Sequence, residues 1–152
     1  MAGFACGNAT LDHWLRSAAL TSDAMGTART YVWTDENVVV GYLSLCPHEV
    51  RRDELPSKLG QGTPHSLPAI LLARLAFDRR LHGQRLGASL LLDALARATD
   101  AIEIAGGRLV VVDAIDESAR RFYEHHGFRA APSRPARLFR KVSDVAATLR
   151  GG

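Results

Sequence analysis

The chain has 152 residues, of which 47% are apolar, and it carries a formal net charge of +3. This apolar fraction is ample for a folded core, and the length predicts a single domain over residues 1–152. The sequence has no apolar run long enough to span a bilayer, and its N-terminus lacks the features of a signal peptide. Cys6 and Cys46 have no metal-ligand spacing, so we expect reduced thiols, a cytoplasmic location and no metal site.

The basic residues are almost all arginine, since Lys58 and Lys141 are the only lysines. Arginine presents a planar fork of N–H donors that suits phosphate groups. A GC-rich genome would produce the same bias, so composition leaves both explanations open.

The first predicted elements are a helix and a hairpin. Asn8 can cap a helix that begins directly after it. Residues 27–34 and 38–46 are rich in β-forming side chains and predict two strands around a turn at residues 35–37, with a bulge at Gly41. The residues of the helix that recur at helical spacing, and should face the core, are Leu11, Trp14, Leu15, Ala18 and Ala19.

The middle of the chain predicts a long loop and then a strand–loop–helix unit. Residues 47–68 lack apolar periodicity, and a loop of this length in a small domain is usually functional or mobile. Residues 70–77 predict a buried strand, interrupted only by Arg74. The loop from Asp78 to Gly87 is basic, and helical spacing then continues to about Ala105. Such a loop at a helix N-terminus can hold phosphate, although a plain joint with solvated arginines has the same pattern.

The C-terminal third repeats the alternation of strand and helix. Gly106 and Gly107 end the long helix, and residues 108–114 predict a second buried strand. Asp116 is a good cap for a helix over residues 117–125.

The last predicted strands include Phe128 and residues 138–142, and the tail from residue 143 to 152 has no clear signal. The order of elements predicts a mixed α/β sheet with helices on its faces.

Two motifs resemble the GNAT family of N-acetyltransferases. Residues 75–78 (LAFD) followed by 82–87 (HGQRLG) resemble the family's acetyl-CoA loop, whose usual pattern is Q/R-x-x-G-x-G/A. Here His82 stands in place of Gln or Arg, and Arg85 stands in place of the first Gly. Residues 116–128 (DESARRFYEHHGF) resemble the family's N-x-x-A-x-x-x-Y-x-x-x-G-F segment, with Asp in place of Asn. Together the two motifs are far more specific than either alone.

Further short motifs resemble the branch of this family found as toxins of toxin–antitoxin pairs. They lie at residues 4–15, 29–32, 41–45 and 72–76, so that the resemblance covers roughly residues 4–140. The family opens with a strand before the first helix, and almost nothing precedes Phe4, so we expect that edge strand to be missing or truncated. The resemblance implies a mostly antiparallel sheet with a central splayed parallel strand pair. It also implies a homodimer and a ribbon-helix-helix antitoxin as partner.

The resemblance implies acetyl-CoA as co-substrate. The backbone of the strand through Leu75 would bind the pantetheine arm, and the segment 83–88 would bind the pyrophosphate. The residues that the resemblance assigns to the cofactor are Leu75, Ala76, Phe77, His82, Gly83, Gln84, Arg85, Leu86, Gly87, Ala88, Asp116 and Phe122.

Tyr123 is the candidate catalytic residue. A phenol titrates near pH ~10, so it stays protonated at neutral pH and can give a proton to the departing thiolate. The structural alternative is a core aromatic residue on an amphipathic helix.

The predicted central strand contains no carboxylate, although many relatives place a general base there. An α-amine titrates near ~7.7–8.0 and a lysine near ~10.4, so the missing base favours an α-amine acceptor. A water chain to Glu49, Glu124 or another acid could substitute. Arg74 could clamp an anionic group of the acceptor, or pair with Asp78 or Asp113.

Residues 129–141 contain five basic residues and no acid, which suits a phosphodiester backbone, although a solvated basic loop is equally consistent. An α-amine beside a polyanion is aminoacyl-tRNA, which is also what the toxin branch acetylates. We therefore expect an aminoacyl-tRNA acetyltransferase with Arg29, Arg74 and Arg137 at the acceptor. The alternatives are an acetyltransferase for a small or peptide amine and a catalytically silent CoA-binding domain.

Overall fold

The computed structural model describes residues 4–17, 25–26, 28–79 and 86–151. A long helix, shorter helices and strands follow one another in these ranges. In chain order they are α1 Ala9–Ser17, β1 Arg29–Asp35, β2 Val38–Arg51, a 3-10 turn Arg52–Glu54, α2 Ser57–Gly60, β3 Ser66–Phe77, α3 Leu86–Ala105, β4 Leu109–Asp113, α4 Glu117–His125, β5 Arg129–Ala131, β6 Arg134–Lys141 and α5 Val142–Gly151.

The six strands form one sheet in the order β1-β2-β3-β4-β6-β5. The β1–β2, β4–β6 and β5–β6 pairs are antiparallel, and β3–β4 is parallel. Residues Ala69 to Leu72 of β3 pair with Leu109 to Val112 of β4, and β3 then continues to Phe77 beyond the last parallel pair. The predicted fold class, a mostly antiparallel α/β sheet with one central parallel pair, is confirmed.

The chain divides into two compact units. Unit 1 comprises Met1–Cys46 and Ala73–Ala94, and unit 2 comprises Pro47–Leu72 and Leu95–Gly152. The single domain over residues 1–152 stays a prediction.

Unit 1 has an aromatic core. Phe4 and Tyr42 pack edge to face, and Trp14 stacks on Tyr42 with ring centroids 5.9 Å apart. The buried Tyr42 hydroxyl donates a hydrogen bond of 2.7 Å to the Leu11 carbonyl, which fixes α1 on the sheet. The predicted helical core face is confirmed for Leu11, Trp14 and Leu15, whereas Ala18 and Ala19 lie outside the described residues.

Unit 2 has an aliphatic core. Its buried members come from β2 through β6 and from the segment after the 3-10 turn. They are Val50, Leu55, Leu59, Leu67, Ala69, Leu109, Val111, Ala131 and Phe139.

Local signals set the helix ends as predicted. The Asn8 side chain accepts from the Leu11 amide at 3.0 Å, and the Asp116 side chain accepts from the Ala119 amide at 2.8 Å. Gly106 and Gly107 have positive φ angles of 91° and 144° after α3, a conformation that favours glycine at a helix end.

The β1–β2 hairpin closes with a tighter turn than predicted. Asp35 pairs with Val38, so only Glu36 and Asn37 form the loop, both with positive φ. A two-residue turn of this kind matches the right-handed twist of the strands. The register shift leaves Val40 as the extra residue, one position before the predicted bulge.

The predicted loop over residues 47–68 is too long. β2 continues to Arg51 and β3 begins at Ser66, because Val50 and Leu67 are both buried in the core of unit 2. The tail also differs from the expectation, since Val142–Gly151 forms α5 with Val145 buried. Among the described residues, no helix is long and apolar enough to cross a membrane.

Candidate active site

The end of β3 and the start of α3 both lie in unit 1 and contain the described part of the predicted cofactor site. Leu75 is half-buried, and Ala76 and Phe77 are buried. Beyond them, the Asp78 amide donates to the Val40 carbonyl at 2.7 Å, and its carboxylate accepts from the Ala5 amide at 3.3 Å. These bonds hold the end of β3 at a defined position.

The first turn of α3 consists of half-buried residues Leu86, Gly87 and Ala88. The amides of a first helical turn have no partner within the helix and can bind an anion. The preceding predicted residues, His82, Gly83, Gln84 and Arg85, lie outside the described residues.

Gly41 lies against the end of β3. A Cβ atom at this position would be 3.2 Å from the Ala76 carbonyl oxygen and 3.3 Å from Cδ2 of Phe77. Phe77 also packs edge to face against Trp33 with centroids 5.7 Å apart. The glycine therefore serves a close approach of two strands, and the bulge itself is at Val40.

Arg74 contacts Trp14. Its Cζ atom lies 3.8 Å from the centroid of the indole ring, in unit 1. Burial lowers the pKa of this guanidinium, while the electrostatic influence of Tyr42 and Cys46 opposes the shift. The sequence reasoning named Arg74 and placed Trp14 in the core, but did not bring the two together.

Tyr123 is buried in unit 2. Its ring packs edge to face against Phe122 at 5.5 Å and Phe128 at 5.6 Å. Burial raises the pKa of the phenol above its ordinary value, and the nearby carboxylate of Asp113 raises it further. The hydroxyl is therefore protonated at physiological pH and can donate a proton or a hydrogen bond.

A charged network lies at the end of β4, also in unit 2. Nε and Nη2 of Arg137 donate to the two carboxylate oxygens of Asp113 at 2.8 and 2.7 Å. Its Nη1 atom is 3.1 Å from Nε2 of His48. Because arginine can only donate, Nε2 must be the acceptor and the imidazole is neutral. Burial lowers the pKa of His48, and the Arg137 charge lowers it further.

Hydrogen bonds from Arg137 hold the pKa of the Asp113 carboxyl below its usual range. Within the described residues, the one buried side-chain polar atom without a hydrogen-bond partner is Oε2 of Glu54. Glu54 is close enough to both His48 and Arg137 to influence their pKa values.

The other predicted site residues have varied surroundings. Arg29 is exposed at the start of β1. Asp116 caps α4, and Phe122 is half-buried with a ring contact to His126 at 4.8 Å. Arg137 was predicted to contact the acceptor, and its guanidinium is committed to Asp113 and His48. The predicted contact of Arg137 with the acceptor stays a prediction.

Sequence reasoning did not assign His48 or Glu54 to any site. Neither residue belongs to a motif, and each lies in the stretch that was predicted to be a loop. If β2 had been predicted to continue to Arg51, His48 would have been placed on a strand of the sheet and considered as a site residue.

Comparison with known proteins adds three kinds of information. The acetyltransferase (GNAT) domain profile matches residues 26–130. A tRNA-acetylating toxin of Mycobacterium tuberculosis (strain ATCC 25618 / H37Rv) is 35% identical over 146 residues, covering 96% of this chain and 88% of the relative.

Two solved structures are also similar. AtaT complexed with acetyl-methionyl-tRNAfMet has a TM-score of 0.87 at 28% identity, covering 96% of this chain and 89% of that chain. A tyrosine-to-phenylalanine mutant of the AtaT toxin, bound to the C-terminus of the antitoxin AtaR and acetyl-CoA, has a TM-score of 0.82 at 27% identity, covering 96% and 88%. The matched profile and the near full-length similarity confirm the family expected from the motifs. This chain belongs to the GNAT acetyltransferase family.

Proposed function

We propose that this protein is an acetyl-CoA-dependent N-acetyltransferase that acetylates the α-amino group of aminoacyl-tRNA and thereby acts as a toxin that blocks translation. The observation that carries the proposal is 35% identity to a tRNA-acetylating toxin over 96% of the chain. The structural similarity to AtaT in complex with acetylated methionyl-tRNA supports the same acceptor.

The donor side of the reaction uses unit 1. β3 pairs with β4 only as far as Leu72. The backbone groups of residues 73–77 on the β4 side of β3 are therefore not used in this pairing. These groups would hydrogen-bond the pantetheine arm around Leu75, while the amides of Leu86, Gly87 and Ala88 receive the pyrophosphate.

In the transfer step, the neutral α-amine attacks the thioester carbonyl, a C–N bond forms and the C–S bond breaks. The nitrogen loses a proton, and the sulfur of coenzyme A gains one. Tyr123 donates its hydroxyl proton to the sulfur as charge develops there. The proton released by the nitrogen then restores the phenol, and because the pKa of Tyr123 is raised, no free phenolate accumulates.

The test uses labelled acetyl-CoA and charged tRNA. We expect wild-type protein to transfer label to the aminoacyl group. Tyr123→Phe should bind acetyl-CoA with unchanged affinity but lose about 10²- to 10⁴-fold in turnover, because only the proton donor is removed. Tyr31→Phe is the matched control, since it removes a hydroxyl from a half-buried tyrosine that has no proposed role in the reaction.

Unchanged turnover in Tyr123→Phe would refute the catalytic assignment. Label on a small amine or peptide, with none on charged tRNA, would refute the proposed acceptor and favour the alternative acetyltransferase. Acetyl-CoA binding without transfer to any amine of a broad panel would indicate a silent binding domain.

We further propose that a small antitoxin of the ribbon-helix-helix type neutralises this cytoplasmic toxin, which acts as a homodimer. The complex of AtaT with the C-terminus of AtaR supports an antitoxin partner. Co-expression with a ribbon-helix-helix protein encoded next to this gene should restore growth, and the absence of any such neighbour would contradict the proposed partner. Light scattering of the purified protein should give twice the chain mass.

A further inference from the structure

The guanidinium of Arg74 has an unusual setting for a half-buried cation. At 3.8 Å from the indole centroid, its Cζ atom is within van der Waals contact of Trp14. The guanidinium therefore lies over the face of the ring. A guanidinium in such a cation–π contact can still donate hydrogen bonds through N–H groups that point away from the ring.

No carboxylate among the described residues acts on Arg74. Within the described part of the chain, the ionisable groups that act on it are Tyr42 and Cys46. Burial raises the pKa of both groups, so both are neutral at physiological pH. The Tyr42 hydroxyl is in turn committed to the Leu11 carbonyl. A partly desolvated cation that is oriented by stacking but lacks a carboxylate partner is suited to an external anion.

Arg74 is also close in sequence to the proposed donor site, since it immediately precedes Leu75 in β3. In aminoacyl-tRNA the amino acid carboxyl is esterified to the terminal ribose. The anion nearest to the reacting amine is then a phosphodiester of the single-stranded end.

We propose that Arg74, held over the Trp14 ring, binds a phosphodiester group in the single-stranded 3′ end of the acceptor RNA. This inference rests on the proposed function for the nature of the anion. It adds a specific contact, formed by a strand residue and a helix residue, that the overall positive charge does not provide.

The first experiment measures binding without catalysis. Trp14 and Trp33 are the only tryptophans, so Trp33→Phe leaves Trp14 as the single indole emitter. We expect a short single-stranded RNA ending in CCA to change its emission saturably. Arg74→Gln in this background should weaken binding about tenfold or more, as for loss of a charge-assisted fork. The plot of log affinity against log salt concentration should become less steep, with a slope smaller in magnitude by about 0.7.

Two controls separate a phosphate contact from a structural role. The same RNA with methylphosphonate linkages has no backbone charge, so Arg74→Gln should not change its affinity. Arg51→Gln removes an exposed arginine that pairs with Asp53, and should leave RNA binding unchanged. Equal losses for charged and neutral RNA would show that Arg74 only supports the fold, which would overturn the inference.

The remaining outcomes distinguish this inference from the proposed function. If wild type acetylates charged tRNA and Arg74→Gln does so with unchanged KM and salt dependence, the phosphate contact is wrong and the function stands. If RNA binding depends on Arg74 but no charged tRNA is acetylated, the contact stands and the function is wrong. Binding of an N-acetyl amino acid that depends on Arg74, without an effect on RNA, would identify a carboxylate and overturn the inference.

Discussion

Two of the three arginines predicted to meet the acceptor, Arg74 and Arg137, differ in what they contact. Arg137 has bidentate hydrogen bonds to Asp113 and a third contact to His48, whereas Arg74 lies on an indole. A guanidinium that is hydrogen-bonded to a carboxylate stabilises the structure, whereas one that has no carboxylate partner among the described residues can bind an external anion. Chemical type alone does not separate these two roles.

Arg137→Met should lower the free energy of unfolding by about 1–3 kcal/mol at pH 7. We expect a value near ~1 kcal/mol, because the Asp113 side chain is 37% exposed and solvent screens the ion pair. Urea unfolding would measure this change. Arg120→Met is the control, because Arg120 pairs with Glu117 and Glu124 at the helix surface, and it should change little.

The same pair predicts a pH dependence. Arg137 lowers the folded-state pKa of Asp113 below its unfolded value, which is near ~3.9. A carboxyl with a depressed folded pKa adds stability above the unfolded pKa, and this is lost as pH falls through the folded pKa. The stability gap between wild type and Arg137→Met should thus be full at pH 6–7 and close below about pH 4. A constant gap down to pH 2 would contradict an ionic origin.

At the scale of elements, α4 is held at its start by Asp116, which accepts from the Ala119 amide. Asp116→Ala should cost about 1 kcal/mol of stability, because the cap hydrogen bond is lost, whereas Asp116→Asn should cost almost nothing. Thermal unfolding and acetyl-CoA affinity should be measured on both variants. A normal affinity in folded Asp116→Ala would assign this residue to the helix, and a large loss would support the predicted cofactor contact.

The contact between β2 and the end of β3 depends on a glycine. Gly41→Ala introduces a methyl group 3.2 Å from the Ala76 carbonyl oxygen, at a backbone conformation that any residue can adopt. We expect a loss of about 1–3 kcal/mol from crowding. It should also weaken acetyl-CoA binding, since Leu75 to Phe77 would shift.

Gly62→Ala is a useful comparison for Gly41→Ala. Nothing lies within 4 Å of its added Cβ, but φ is +72°. It should lose about 1–2 kcal/mol from backbone strain and keep normal acetyl-CoA affinity. If the two variants affect acetyl-CoA equally, the β2–β3 contact is not part of the donor site.

At the scale of the whole molecule, the placement of positive charge should determine acceptor binding. Arg129, Arg134 and Lys141 are exposed on β5 and β6. The value of kcat/KM for charged tRNA should fall steeply with salt, with a slope of about −0.7 to −0.9 for each phosphate contacted. An amino acid methyl ester has the same amine without phosphate, and its acetylation should be nearly independent of salt.

Replacement of these three basic residues by Gln should make kcat/KM less dependent on salt, so that the slope becomes smaller in magnitude by roughly 2–3. The matched control replaces Arg51, Arg52 and Lys58, which are also exposed, so that net charge changes equally. Equal effects of the two triple variants would mean that net charge alone attracts the tRNA.

The sequence by itself determined the family, the order of the main strands and helices, and several of their ends. Caps such as Asn8 and Asp116 act within three residues of the amides that they bind. Alternating and helical apolar patterns are likewise local, so they predict strands and helices without knowledge of which elements pack together. The motif around Tyr123 could be found for the same reason, since its residues are contiguous.

Only the tertiary structure decided which charged groups meet. Asp113 and Arg137 are partners because β4 and β6 pair in a register that places them opposite each other. His48 contacts Arg137, which lies 89 residues further along the chain, and Arg74 on β3 contacts Trp14 on α1. The extra strand length of β2 and the helix α5 likewise depend on Val50 and Val145 finding buried positions. Long-range pairing follows from sheet register and packing, and no local pattern of residues contains that information.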